Sequence, residues 1–346
     1  GKHLRSLLSE LDKFEETIEV CGDVQGQQLG STVDINKDGD VVVFGGVLKA
    51  CVYAESSSTY TLQGSCFADS SGEYVSINDD GDMILAAGND VAGVYKYDST
   101  SGEFEEYGSQ ISVSSVQAVD MDSSGSILVL SSGDGDGSVN VYEYDGTDYV
   151  QRGSTLVKGS YFGISVSITA DGSLLAVGDS ENVYVYSWES EDDYVLFQTL
   201  SGSSDKDFGQ AVAFSYDGSV LAVGEPGKNA VHVFTYDDDQ FKEEIDKIET
   251  GVFLGTTVAV NSDASVLAAG EPDFAYNEES AGNVYLYYYD SSKQEYKESQ
   301  TLQDTNDDDS NANQVALNYD GNILVIGDSY SDDAKMGCAA IFTETA

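Results

Sequence analysis

One pattern recurs seven times along this chain and limits what it can fold into more than any other feature. A short strand of alternating residues leads into a tight turn, usually Asp-Gly, and an apolar strand follows that ends on a small residue. The first strands are marked by Val33, Val75, Val119, Val166, Val212, Val258 and Val315, separated by 42, 44, 47, 46, 46 and 57 residues. Six positions after each valine lies the turn residue: Gly39, Gly81, Gly125, Gly172, Gly218, Ala264 and Gly321. Glycine accepts positive φ at little cost, so Asp-Gly or Ser-Gly between apolar strands is a strong hairpin signal. Ala264 departs from the pattern and is expected to be strained or to use another turn.

Each hairpin is followed by a third strand rich in Val and Tyr, such as Val94-Tyr95-Lys96-Tyr97 and Val183-Tyr184-Val185-Tyr186. A fourth strand then opens on an aromatic: Phe104, Tyr149, Tyr194, Phe241 and Tyr296. Four strands in about 45 residues is the period of a propeller blade. One blade cannot bury both of its faces, so the repeats must stack around an axis. The expected fold is all-β, a seven-bladed β-propeller of four-stranded antiparallel blades. The last repeat stops after its third strand, which runs through Cys338 to Phe342. Its missing outer strand is at the other end of the chain, where Phe14-Glu15-Glu16-Thr17-Ile18 matches Phe241-Lys242-Glu243-Glu244-Ile245. Residues 13–20 are therefore expected to complete the last blade. The chain divides into a tail at 1–12 and a propeller at 13–346.

The repeats resemble FG-GAP repeats, the blades of integrin α-subunit propellers and of many secreted relatives. The matching steps are Phe162-Gly163 with Gly178-Asp179-Ser180, Phe208-Gly209 with Gly224-Glu225-Pro226, and Leu254-Gly255 with Gly270-Glu271-Pro272. The resemblance covers residues 29–342 and is degenerate in blades 1, 2, 3 and 7. Some blades of that family bind calcium in the first hairpin, where several oxygen ligands surround a hard cation. Blade 1 comes nearest, with Asp34, Asn36 and Asp38 before Gly39. Its ninth loop position is Val42 rather than Asp, and the hairpin is one residue shorter. The Asp-Gly steps read first as tight turns. No cofactor is required, and calcium in blade 1 is the alternative.

Four cysteines allow three pairings. In the expected ring, Cys21 ends the donated strand and Cys338 begins the strand beside it. Cys51 and Cys66 fall in and just beyond the first blade's last two strands. The pairs Cys21–Cys338 and Cys51–Cys66 follow, with four buried free thiols as the alternative. Disulfides point to an oxidising compartment, hence to secretion or the cell surface. No C-x-x-C step occurs, so a cysteine metal site is not expected.

The net charge of -47 repels phosphate backbones and anionic membranes, which argues against nucleic acid. No run approaches the ~18 apolar residues of a spanning helix, so membrane insertion is not expected. Protein partners with cationic surfaces remain. The residues leaving the second strands include Asp179, Glu225, Glu271 and Asp328, one from each of blades 4 to 7. This arc could receive a cation or a basic partner, or each carboxylate could cap its own loop. His232 stands where other blades have Tyr and reads as structural. No nucleophile–base pair is evident, so an enzyme is not expected. Leu4, Leu7, Leu8 and Leu11 lie on one helical face beside Lys2, His3 and Arg5. That tail could dock on its own ring or mediate self-association. The sequence is best read as a secreted, non-catalytic structural or adhesive propeller, a subunit of an extracellular or cell-surface assembly. The alternatives are an integrin-like, cation-dependent binding module and, third, a hydrolase using the axial funnel.

Overall fold

The computed structural model describes residues 13–23, 26–47, 49–67, 72–88, 90–189, 193–202, 207–243, 247–251, 253–272, 282–303, 314–329 and 337–345. The tail with Leu4, Leu7, Leu8 and Leu11 lies outside them, as do Asn89 and Asp307-Asp308-Asp309. Seven antiparallel sheets form, each with four strands running from the axis outward, consecutive in the chain in all but the last. Blades 2 and 5 each add a two-residue strand, Ile111–Ser112 and Ile248–Glu249, on the third strand. Neighbouring inner strands touch all the way round, including the seventh against the first, so the ring is closed.

Closure uses both ends of the chain. Lys13–Cys21 pairs antiparallel with Cys338–Thr345, and Cys21 lies directly opposite Cys338. The two are joined in a disulfide across 317 residues of sequence. Phe14 is 3% exposed and fills the place that Tyr149 and Tyr194 hold in blades 3 and 4. A second disulfide links Cys51 to Cys66 within blade 1.

The apolar alternation of the strands builds seven cores, one in each seam between blades. In the seam of blades 4 and 5, Phe208, Leu221 and Val223 are essentially inaccessible. Burying each such side chain contributes about 1.5–3 kcal/mol. The small residue ending each second strand has a steric cause. A Cβ on Gly178 would lie 2.1 Å from the Gly209 carbonyl oxygen, and one on Gly224 would lie 1.9 Å from that of Gly255. The next blade's backbone passes through that space.

Every hairpin carries the same internal clamp. The residue three before the turn accepts a hydrogen bond from the backbone N–H five residues ahead. The pairs include Asn36 with Val41 at 2.8 Å, Asp122 with Ile127 at 2.7 Å, Ser215 with Val220 at 2.9 Å and Asn318 with Ile323 at 2.9 Å. Asn78, Thr169 and Asn261 repeat it in the other three blades. In four blades the tyrosine opening the outer strand donates its hydroxyl to the turn carbonyl, as Tyr194 does to Gly172 at 2.7 Å. Ala264 keeps this turn by adopting φ +53°. A left-handed alanine costs about 1 kcal/mol relative to glycine. Ala264→Gly is therefore expected to raise the unfolding free energy by no more than about 0.5 kcal/mol in urea titrations, net of glycine's greater entropy in the unfolded chain.

Candidate functional site

The inner strands surround an axial channel of about 300 Å³, continued toward the hairpin face by a second space of about 210 Å³. Inner-strand residues alternate between seam and channel. The residue after each marker valine borders the channel: Asp34, Ser76, Asp120 and Ser167 in blades 1 to 4, then Ala213, Ala259 and Ala316. The polar half of this layer ties blades together. Asp34 accepts the Ile77 N–H of blade 2 at 2.9 Å, and Asp120 accepts the Ile168 N–H of blade 4 at 2.8 Å. Ser76 donates to Asp120 at 3.4 Å.

Both carboxyls titrate far above the ordinary range. Burial pushes Asp34 up to about 6 and Asp120 up to about 7, against the backbone N–H groups that favour the charged form. The charge of Asp34 raises Asp120 further. Both residues keep some accessible surface, but that surface faces the channel rather than bulk solvent.

Four blades close the hairpin end of the channel. The Lys37 ammonium lies 4.7 Å and 4.6 Å from the ring centres of Tyr216 and Tyr319, within cation–π range. Tyr216 donates its hydroxyl to Asp79 at 2.7 Å, and Asp79 faces Lys37 at 3.6 Å. That hydrogen bond holds the Tyr216 phenol above its usual range. Backbone bonds run around the same rim, from Tyr319 N to Lys37 O, Ser262 N to Tyr319 O, and onward through Tyr216, Ala170, Ser123 and Asp79. The channel is thus a pit with polar walls on one side and a plugged floor.

The arc of carboxylates does not converge on a common point. Three of its members are held within their own blades by a third-strand side chain. Tyr184 donates to Asp179 at 3.1 Å, Tyr285 donates to Glu271 at 2.6 Å, and His232 Nε2 lies 2.8 Å from Glu225. Asp179 also accepts the backbone N–H groups of Glu181 and Asn182, capping its loop. Asp328 occupies the same position in blade 7, where Ala340 replaces the aromatic, and is buried. His232 is buried between Glu225 and Glu243, with Nδ1 2.6 Å from Glu243. The candidate calcium ligands also diverge. Asp34 points into the channel, Asn36 clamps the turn, and Asp38 is exposed. Among the described residues the single cluster with metal-ligand spacing is Glu19, Cys21 and Cys338, whose two sulfurs are bonded to each other.

The sequence reading missed the hairpin clamp, although its signal was present. Asn, Asp, Thr or Ser stands three residues before every turn. The first-hairpin pattern suggested metal ligands, whereas its third position serves the backbone. The pair Asp34 and Asp120 was also missed as a unit, because 86 residues and one blade separate them.

No family profile and no curated protein matches this sequence. The chain is similar in structure to the β-propeller domain of Myceliophteria thermophila Cps50 (Swd1), with a TM-score of 0.68 and 12% identity over 96% of this chain and 99% of that one. At that identity the likeness establishes the seven-bladed fold and nothing finer. No helix among the described residues is long and apolar enough to cross a membrane.

The two channel acids make stability pH-dependent with a definite sign. Their folded pKa values lie above the ordinary 3.8, so the folded state holds protons that the unfolded chain releases. Their contribution is complete below about pH 4 and is lost as pH rises through 6 and 7. The loss over the whole range is on the order of 5–7 kcal/mol, roughly 2–3 kcal/mol of it between pH 5.5 and 7.5. Between pH 5.5 and 7.5 most other carboxylates have finished titrating, with reference pKa values near 4. Denaturation midpoints should fall across that window in the wild type. They should flatten in Asp34→Ala/Asp120→Ala, which copies the alanines of blades 5 to 7.

Proposed function

We propose that this chain is a secreted, non-catalytic propeller of FG-GAP type that serves as a structural or adhesive subunit of an extracellular or cell-surface assembly. The observation that carries the reading is the Cys21–Cys338 bridge across the ring closure, joined by a second bridge in blade 1. Bridges of this kind persist in oxidising compartments. The FG-GAP assignment is supported by Gly163, Gly209 and Gly255, which share φ values of +92° to +93° and donate to Gly178, Gly224 and Gly270. Leu29-Gly30 repeats that geometry in blade 1, where the letters of the motif are weaker.

Partner binding is assigned to the face opposite the plugged floor. Tyr161 and Phe253 hold equivalent turns there, just before the Phe-Gly and Leu-Gly steps of blades 4 and 6. They are 64% and 40% exposed, with left-handed φ values of +65° and +64°. Large aromatics in that conformation cost folding energy, and both keep a large part of their surface open to solvent. On so acidic a surface they suit a partner that brings cationic side chains to aromatic faces.

The test is thiol alkylation of intact producing cells, followed by peptide mapping without reduction. Both bridges should be found intact, and an impermeant amine-reactive label should reach the protein's lysines from outside. Free thiols on an inaccessible protein would reject the reading. Tyr161→Asn/Phe253→Asn should keep the fold and reduce capture of the native partner at least tenfold, and chelators should leave capture unchanged.

A further inference from the structure

The seven repeats act as an internal comparison, and one outer strand fails it. Blade 4 ends in Asp193–Ser201 and blade 6 in Glu295–Gln303. The two align residue for residue through Tyr194/Tyr296, Gln198/Gln300, Thr199/Thr301 and Leu200/Leu302. Their structures agree in detail. Each has a bulge at the same place, Phe197 in one and Ser299 in the other. Each uses its glutamine as a two-way clasp on the next blade's outer strand. Gln198 bonds both backbone groups of Phe241, at 2.9 and 2.7 Å, and Gln300 bonds both of Phe14, at 3.0 and 2.8 Å.

The strands differ at three successive exposed positions. Blade 6 carries Lys297-Glu298-Ser299 there, and blade 7 carries Glu15-Glu16-Thr17. Blade 4 carries Val195-Leu196-Phe197, which are 49%, 39% and 36% exposed. The fold therefore accommodates charge at these positions and does not require apolar residues there. Phe197 extends the patch to blade 5, with its ring 6.0 Å from the half-exposed Tyr236. Natural edge strands are usually blunted by charge, and this one is not.

We propose that this edge is a self-association surface whose occupant is the same strand of a second copy, paired antiparallel about a two-fold axis. Charge selects that occupant. Two molecules of charge -47 repel wherever acidic surfaces meet. From Tyr194 to Gly202 the chain has no ionisable charge at neutral pH, so two copies can approach there. Antiparallel pairing sets Asp193, at one end of the strand, beside the uncharged far end of the other copy's strand near Thr199 and Ser201, so these carboxylates do not meet. Among the described residues the outer edge of this strand pairs with no other strand, leaving its backbone groups for the partner. An isologous contact of this kind closes on itself and gives a dimer rather than a fibre. The inference goes beyond the scaffold reading and does not rest on it.

The test is sedimentation velocity of the full chain at physiological salt, from low to high micromolar concentration. The comparison variant is Val195→Lys/Leu196→Glu/Phe197→Ser, the sequence that blade 6 already carries in the same geometry. The wild type should shift from one copy to two as concentration rises, and more readily at higher salt. The variant should stay monomeric with an unchanged melting temperature. A wild type that remains monomeric, including one that only captures a different protein, overturns the proposal. So does a variant that dimerises like the wild type. Neither failure bears on the disulfides that carry the scaffold reading.

Discussion

The pairing of Lys13–Cys21 with Cys338–Thr345 is the contact on which the rest of this structure depends. Each blade buries its faces only against its neighbours, so an open ring leaves two blade faces without a partner. The donated strand supplies Phe14 to the seam of blades 6 and 7, and Ile18 and Val20 to the seam of blades 7 and 1. It also offers the backbone of Phe14 to the Gln300 clasp. One strand thus joins both ends of the chain and touches cores on both sides of its blade.

A closed ring then fixes what the centre can be. The hairpin ends meet in a belt of backbone hydrogen bonds, and Lys37, Asp79, Tyr216 and Tyr319 fill the opening they leave. Above that plug the inner strands present whatever their alternation leaves over. In blades 5 to 7 this is alanine, and in blades 1 and 3 it is a carboxylic acid. The acids stitch one blade to the next through backbone N–H groups, yet burial makes their charged form costly at neutral pH. The same residues serve as a seam at low pH and as a burden above it.

Much of this was legible in the sequence because propeller signals are local. Asp-Gly spacing marked the hairpins, the Val-Tyr runs marked third strands, and the truncated seventh repeat called for a strand at the N-terminus. Cysteine pairing followed from that closure. Long-range consequences were harder to read. The equivalent positions of Asp179, Glu225 and Glu271 left two readings open, a shared arc or carboxylates that each cap their own loop. The deciding partners, Tyr184, His232 and Tyr285, sit on the next strand and draw each carboxylate back into its own blade. The calcium alternative made Asp34 and Asn36 neighbouring ligands, but one faces the channel and the other clamps the turn. The apolar outer strand of blade 4 was present in the letters all along. It stands out only beside the matching strand of blade 6, which carries charge at the same positions.

Ring closure as the governing constraint can be measured by comparing the two disulfides. The closing bridge spans 317 residues and the bridge within blade 1 spans 15. Loop-entropy reasoning gives the long loop about 5–6 kcal/mol and the short one about 3 kcal/mol, as upper estimates. Equilibrium unfolding of Cys21→Ala/Cys338→Ala and of Cys51→Ala/Cys66→Ala decides the matter. The account predicts that losing the closing bridge costs clearly more stability, and that amide protection falls first in Lys13–Cys21 and Cys338–Thr345. Equal costs, with protection lost evenly around the ring, would contradict it.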